Sequence, residues 1–145
     1  MDERIEIWNV LHDGEITAIS GEDGETLTMF VSIPYLRRRL EPLGDSFVLI
    51  LSGLTRLEYE DPNYGVTSLR EEMGLADTIV ILSTESGSMP VTINTVLGTL
   101  ILDFRSISFA LDTGQTIEYE AIEKVCEQYW TEWEAEARKK GGDAP

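Results

Sequence analysis

The sequence predicts an α+β, β-rich fold: a mostly antiparallel, curved sheet of about seven to eight strands packed against a long C-terminal helix. Three observations predict it. Apolar and polar residues alternate in short runs through most of the chain, broken by clusters of Gly, Pro, Asp and Asn. The connections between these runs are too short for the helical crossovers that parallel strands require. Only toward the C-terminus does the apolar period lengthen from two residues to that of a helix.

The elements follow in chain order. Ile5, Ile7, Trp8, Val10 and Leu11 lead into His12-Asp13-Gly14-Glu15, and Ile16 to Ile19 come next. Asp-Gly between two apolar segments signals a hairpin, because both central residues of a type I′ turn need positive φ. A second turn cluster, Gly21 to Glu25, precedes a strand from about Thr26 to Ser32 with Leu27, Met29 and Val31 on one face. The expected opening is thus a three-stranded meander.

Ser32-Ile33-Pro34 reads as a helix start, since Pro fits the first turn, and Tyr35 to Leu40 supplies one or two turns before Pro42 and Gly44. Ser46 to Leu51 is almost continuously apolar, the pattern of a strand in the middle of a sheet. Gly53 interrupts it before Leu54 to Glu60, as at a bulge. A short helix is expected over Thr67 to Met73, closed by Gly74. Strands follow over Thr78 to Ser83 and Val91 to Val96. Thr99 to Leu111 contains two alternating segments joined by a kink near Arg105-Ser106.

Ile122, Val125, Cys126, Tyr129, Trp130 and Trp133 then share one face of a helix. Arg138-Lys139-Lys140 complements the negative end of its dipole, and Gly141-Gly142 stops it. The domain reading is one globular unit over residues 1–140 and a disordered tail over 141–145.

Charge bounds the partners. The chain carries 27 Asp and Glu against 11 Lys and Arg, a net of −16 over 145 residues. Such a surface repels nucleic acid and anionic membranes and steers toward basic proteins. Neither nucleic acid nor membrane is therefore an expected partner. At 42% hydrophobic residues the chain is too apolar to be an acidic disordered protein. A single cysteine permits no intrachain disulfide, and the start Met1-Asp2-Glu3-Arg4 lacks a signal peptide's features, so the expected compartment is the cytoplasm. The apolar run Phe47 to Leu51 is too short to span a bilayer as a helix.

No catalytic, metal or cofactor-binding residue is assigned. His12, the only histidine, has carboxylates beside it in Asp13 and Glu15, a set that general acid-base chemistry uses. Its plainer reading is an exposed turn shoulder. Cys126 lies on the apolar helical stripe, where a thiol is a buried structural group. A zinc site would have to take most of its ligands from carboxylates, which is uncommon. Glu22-Asp23-Gly24-Glu25 lacks the ligand spacing of a calcium loop, and no glycine-rich phosphate cradle is present. Arg37-Arg38-Arg39 reads first as ion-pair partners for the abundant acids. Tyr129 and Trp130 read as core aromatics, and Trp133, one turn from the charged end, as the partly exposed one.

Taken together, Trp8…Leu11-His12-Asp13-Gly14, Tyr35-Leu36-Arg37, Leu111-Asp112…Gly114 and Tyr129-Trp130…Trp133 resemble small acidic bacterial proteins. The chain is similar in type to the immunity proteins of polymorphic toxin systems: short, acidic, single-domain, sheet plus helix. The resemblance spans most of the chain and supplies no binding residues.

The functional expectation is a non-enzymatic protein-binding module whose acidic surface recognises a basic partner, and the resemblance implies one of immunity type. Trp133, Glu134, His12 and Asp13 are its assigned binding residues. The alternatives are a small-molecule-binding curved sheet or barrel, and a homo-oligomer joined through edge strands or the aromatic helix.

Overall fold

In the computed structural model the described residues are 2–21, 25–62, 65–68, 79–85 and 87–142. The chain opens with a helix, α1 (Glu3–Val10), where the sequence suggested a strand. Asp2 caps it by accepting the Arg4 amide at 3.1 Å, and Glu3 and Glu6 lie in the first turn, where the dipole favours acids. Ile5, Ile7, Trp8 and Leu11 are buried. His12-Asp13-Gly14 therefore joins a helix to a strand and is not a hairpin tip. Asp13 adopts a positive φ of 70° but Gly14 does not, so the segment is not the type I′ turn that Asp-Gly signalled. A Cβ on Gly14 would lie 2.6 Å from Val31 Cγ1 and 2.8 Å from the Leu11 carbonyl, so close approach requires glycine there.

Ten strands follow: β1 (Glu15–Ser20), β2 (Thr26–Ser32), β3 (Ser46–Ser52), β4 (Arg56–Asp61), β5 (Gly65–Ser68), β6 (Ile79–Thr84), β7 (Val91–Thr95), β8 (Thr99–Asp103), β9 (Ser106–Leu111) and β10 (Thr116–Ile117). Two further helices complete the chain, the short α2 (Pro34–Arg37) after β2 and the long α3 (Tyr119–Gly142) at the end. The strands form one antiparallel sheet in the order β10-β9-β3-β2-β1-β6-β7-β8-β4-β5. The expected count of seven to eight left out β5 and β10, which are short edge strands. Bends divide β3 from β4 and β8 from β9.

Those bends curl the sheet. β3 pairs with β9, and β4, its continuation, pairs with β8, the segment leading into β9. The four strands form one long ribbon, bent at Gly53 to Thr55 and at Phe104-Arg105. Backbone bonds from Thr55 N to Asp103 O (2.8 Å) and from Arg105 N to Ser52 O (2.9 Å) carry the ladder through the bend. Gly53 sits there with φ +69°, and a Cβ on it would lie 2.7 Å from Arg105 Cβ. The kink expected near Arg105-Ser106 and the interruption at Gly53 are one feature. Because β9–β3 and β8–β4 lie toward opposite ends of the strand order, the sheet turns back toward itself.

Bulges keep the apolar faces inward. Thr17 is an extra residue between Ile16↔Val31 and Ala18↔Phe30, which lets both Ile16 and Ile19 lie opposite core-facing residues of β2. Leu82 is the extra residue between Ile81↔Thr95 and Ser83↔Asn94. One row runs Met29–Leu49–Phe109 across β2, β3 and β9, and all three are buried. These residues join Tyr59, Ile81, Ile93, Leu102 and the apolar faces of α1 and α3 in one core.

The helix expected over Thr67 to Met73 begins instead as strand β5 through Ser68, and the rest of it lies outside the described residues, as does Gly74. α3 continues through Gly141 and Gly142; the remaining tail residues, 143–145, lie outside the described residues. No described helix is long and apolar enough to cross a membrane.

Candidate functional site: an aromatic and acidic helix face

α3 has two unlike halves. Its first half is held by the core through Tyr119, Ile122, Val125 and Cys126, all buried. Every residue from 131 to 139 is exposed. This exposed stretch runs roughly 14 Å along the axis, at the usual rise of a helix. Trp133 stands near its base and is 55% exposed.

Trp133 is the outer end of a train of rings. Its indole meets that of Trp130 edge-on, centroids 5.7 Å apart. Trp130 stacks on His12 at 5.1 Å with planes 22° apart, and meets Tyr129 edge-on at 5.1 Å. Tyr129 packs on Tyr35 of α2 at 4.6 Å. Arrangements of this kind add about 0.5–1.5 kcal/mol per pair beyond simple burial. Trp133 is the most exposed ring of the train, and His12, Tyr129 and Trp130 are half-buried beneath it.

The three consecutive arginines separate in role. Arg37 is wholly buried, and each of its three guanidinium nitrogens donates a hydrogen bond. Its Nη2 and Nε reach Asp112 Oδ1 at 2.7 and 3.0 Å, and it donates to the carbonyls of Ser46, Glu41 and Leu43. Burial pushes the Asp112 carboxyl up, but the amides of Asp45 and Ser46 together with Arg37 outweigh that and leave it below its ordinary value. Arg38 Nε donates to the Gly44 carbonyl at 3.3 Å. Arg39 reaches α3: it pairs with Glu132, and its guanidinium carbon lies 5.3 Å from the centroid of the Tyr129 ring. The hydrogen bond from Arg39 holds the Glu132 carboxyl below its ordinary value.

Arg39, Tyr129, Glu132, Trp133 and Glu136 line an open cleft of about 250 Å³. It joins two rings, two carboxylates and one guanidinium. A larger cleft of about 630 Å³ lies at the sheet bend, with Arg4, Glu25, Asp103 and Arg105 on its walls. Arg4 is engaged there, bonded to Asp2 and to the carbonyls of Phe104 and Arg105. Among the described residues no group of three His, Cys, Asp or Glu side chains is placed to hold a metal.

The residues assigned from sequence fare differently. His12 and Trp133 belong to one aromatic train although 121 positions separate them. Asp13 is exposed, and its amide donates to the Ile81 carbonyl at 2.7 Å, so its backbone ties the start of β1 to β6. Glu134 turns to Arg138 one helical turn on, at 3.9 Å, with both side chains well exposed. His12 Nδ1 lies 2.8 Å from the Asn9 carbonyl and the ring is stacked, so the imidazole is a packing group. Cys126 is buried and donates to the Val10 carbonyl at 3.4 Å; burial raises its thiol pKa.

Sequence reasoning missed Tyr35, Glu132 and Glu136 as site residues, and read Arg39 only as an ion-pair partner for the acids, the role it takes with Glu132. One signal was present in the chain, the repeat of aromatic-x-x-Glu at Tyr129/Glu132 and again at Trp133/Glu136, offset by one helical turn.

Comparison with known proteins finds no matching family model, no matching curated protein and no matching solved structure.

Proposed function

We propose that this chain is a non-enzymatic binding protein that recognises a basic protein surface through the exposed half of α3, in the manner of an immunity-type inhibitor. One observation carries this reading: Trp133 is more than half exposed at the tip of a buttressed ring train, on a helix segment where residues 131–139 touch solvent. A large indole exposed to water is the anchor type that dominates binding energy at protein interfaces. Beside it Glu132 pairs with Arg39 and Glu134 with Arg138, and Glu136 offers a carboxylate that suits a cationic group on the partner. The net charge of −16 would accelerate encounter with such a partner, and the indole would then supply the desolvated contact.

The groups with catalytic potential are otherwise engaged. His12 is stacked and hydrogen-bonded, and Cys126 is buried. A second reading, a small-molecule site, has support in the open cleft at the sheet bend.

The deciding experiment is affinity capture from a lysate of the native host, with the wild-type chain and Trp133→Leu side by side at low and high salt. The reading predicts a basic protein retained by the wild type at low salt, released at high salt and not retained by Trp133→Leu. Equal retention by both chains, or no specific protein at either salt, overturns it.

A further inference from the structure

The helix face that carries Trp133 contains the same short unit twice. Tyr129 and Glu132 are three residues apart, and so are Trp133 and Glu136, with the second unit offset from the first by four residues. Four residues is close to one helical turn, so the two units lie one above the other on the same side of α3. Both line the same cleft.

The first unit already holds a cation. Arg39 stacks over the Tyr129 ring and pairs its Nη2 with Glu132. The unit therefore has the two things a guanidinium recognises, a π face and a carboxylate reached from that face. The second unit offers the same pair with a better ring, since indole attracts cations more strongly than phenol. No ion pair among the described residues engages Glu136, and no described cation lies over Trp133.

We propose that Trp133 and Glu136 form a subsite for an arginine side chain of the basic partner, which stacks on the indole and pairs with Glu136 beside Arg39. This rests on the basic-partner reading and adds the chemistry of its central contact. Arginine is favoured over lysine because the built-in occupant of the sister unit is a planar guanidinium, which can stack and donate in the same plane. Arg39 neutralises Glu132, so Glu136 carries the charge that the guest meets.

The test uses the whole chain and a labelled, N-acetylated hexapeptide of alternating glycine and arginine, read by fluorescence anisotropy. Its counterparts carry citrulline, which keeps the planar group but loses the charge, or lysine. Trp133 and Glu136 are both exposed, so Trp133→Leu and Glu136→Gln should retain the wild-type circular dichroism. The expected result is that each substitution weakens the arginine peptide by about fivefold or more, that the lysine peptide binds less tightly, and that the citrulline peptide does not bind. Equal binding of the citrulline peptide, or indifference to Glu136→Gln, overturns the subsite. If that happens while the captured host protein is still lost in Trp133→Leu, the basic-partner reading stands and only the arginine subsite fails. Absence of both peptide binding and a captured protein overturns the two together.

Discussion

The imidazole of His12 lies stacked on the indole of Trp130, with ring centroids 5.1 Å apart and planes 22° apart. His12 leaves the C-terminal end of α1, and Trp130 is the last partly buried aromatic of α3. The contact joins the two ends of the chain and aligns the base of the exposed arm. His12→Ala is expected to lower stability by about 1 kcal/mol, with most of that lost again in the Trp130→Ala background. A double-mutant cycle read by urea unfolding measures the coupling; additive effects would show that the stack holds nothing.

A second prediction concerns Arg37 and Asp112. Removing the carboxylate leaves a fully buried guanidinium without its counter-charge. Asp112→Ala should therefore destabilise the chain by about 3–5 kcal/mol. Glu132→Gln, which breaks the exposed pair with Arg39, should leave the unfolding midpoint unchanged within error. The contrast between the two variants in urea unfolding checks the assignment of one pair to the core and the other to the surface.

The same carboxylate sets a pH dependence. Asp112 is held below its ordinary value in the folded chain, so the folded state favours its ionised form. The stability it contributes is complete above the unfolded value, about pH 4, and is lost as pH falls through the lower folded value. The urea midpoint should drop steeply below about pH 4 in the wild type and less steeply in Asp112→Asn. Parallel profiles for the two chains would contradict this.

Cys126 should be inert while the chain is folded. Burial raises its thiol pKa, and its S–H is donated to the Val10 carbonyl. A thiol-specific chromogenic reagent should react with it only at the rate of unfolding, and at once in denaturant. Prompt reaction of the native protein would place the thiol at the surface.

Much of the fold was legible in the sequence because the central strands obey simple periods. Leu27, Met29 and Val31 alternate, and Phe47 to Leu51 reads as a strand covered on both faces. The opening helix was not legible in the same way. Ile5, Ile7, Trp8, Val10 and Leu11 fit neither period cleanly, and the Asp13-Gly14 signal favoured a hairpin; Asp2 as cap with Glu3 and Glu6 was the weaker competing cue. β5 and β10 have too few residues to show alternation. At the site, the partial exposure of Trp133 was expected from its place one turn from the charged end of the helix. The contacts of Arg39 and Tyr35 with α3 did not follow, since about ninety positions separate them and only the folded sheet brings α2 beside the helix.

The most direct test of the account is the indole N–H spectrum of the chain during titration with the arginine–glycine hexapeptide. The three tryptophans provide three reporters in one experiment. Trp8 is fully buried, with its Nε1 donating to the Arg4 carbonyl at 2.8 Å, and serves as the internal control. The account predicts that the Trp133 signal shifts most, Trp130 follows weakly, Trp8 stays still, and the shifts collapse at high salt. A still Trp133, or equal movement of all three signals, would contradict a cation-recognising face on the α3 arm.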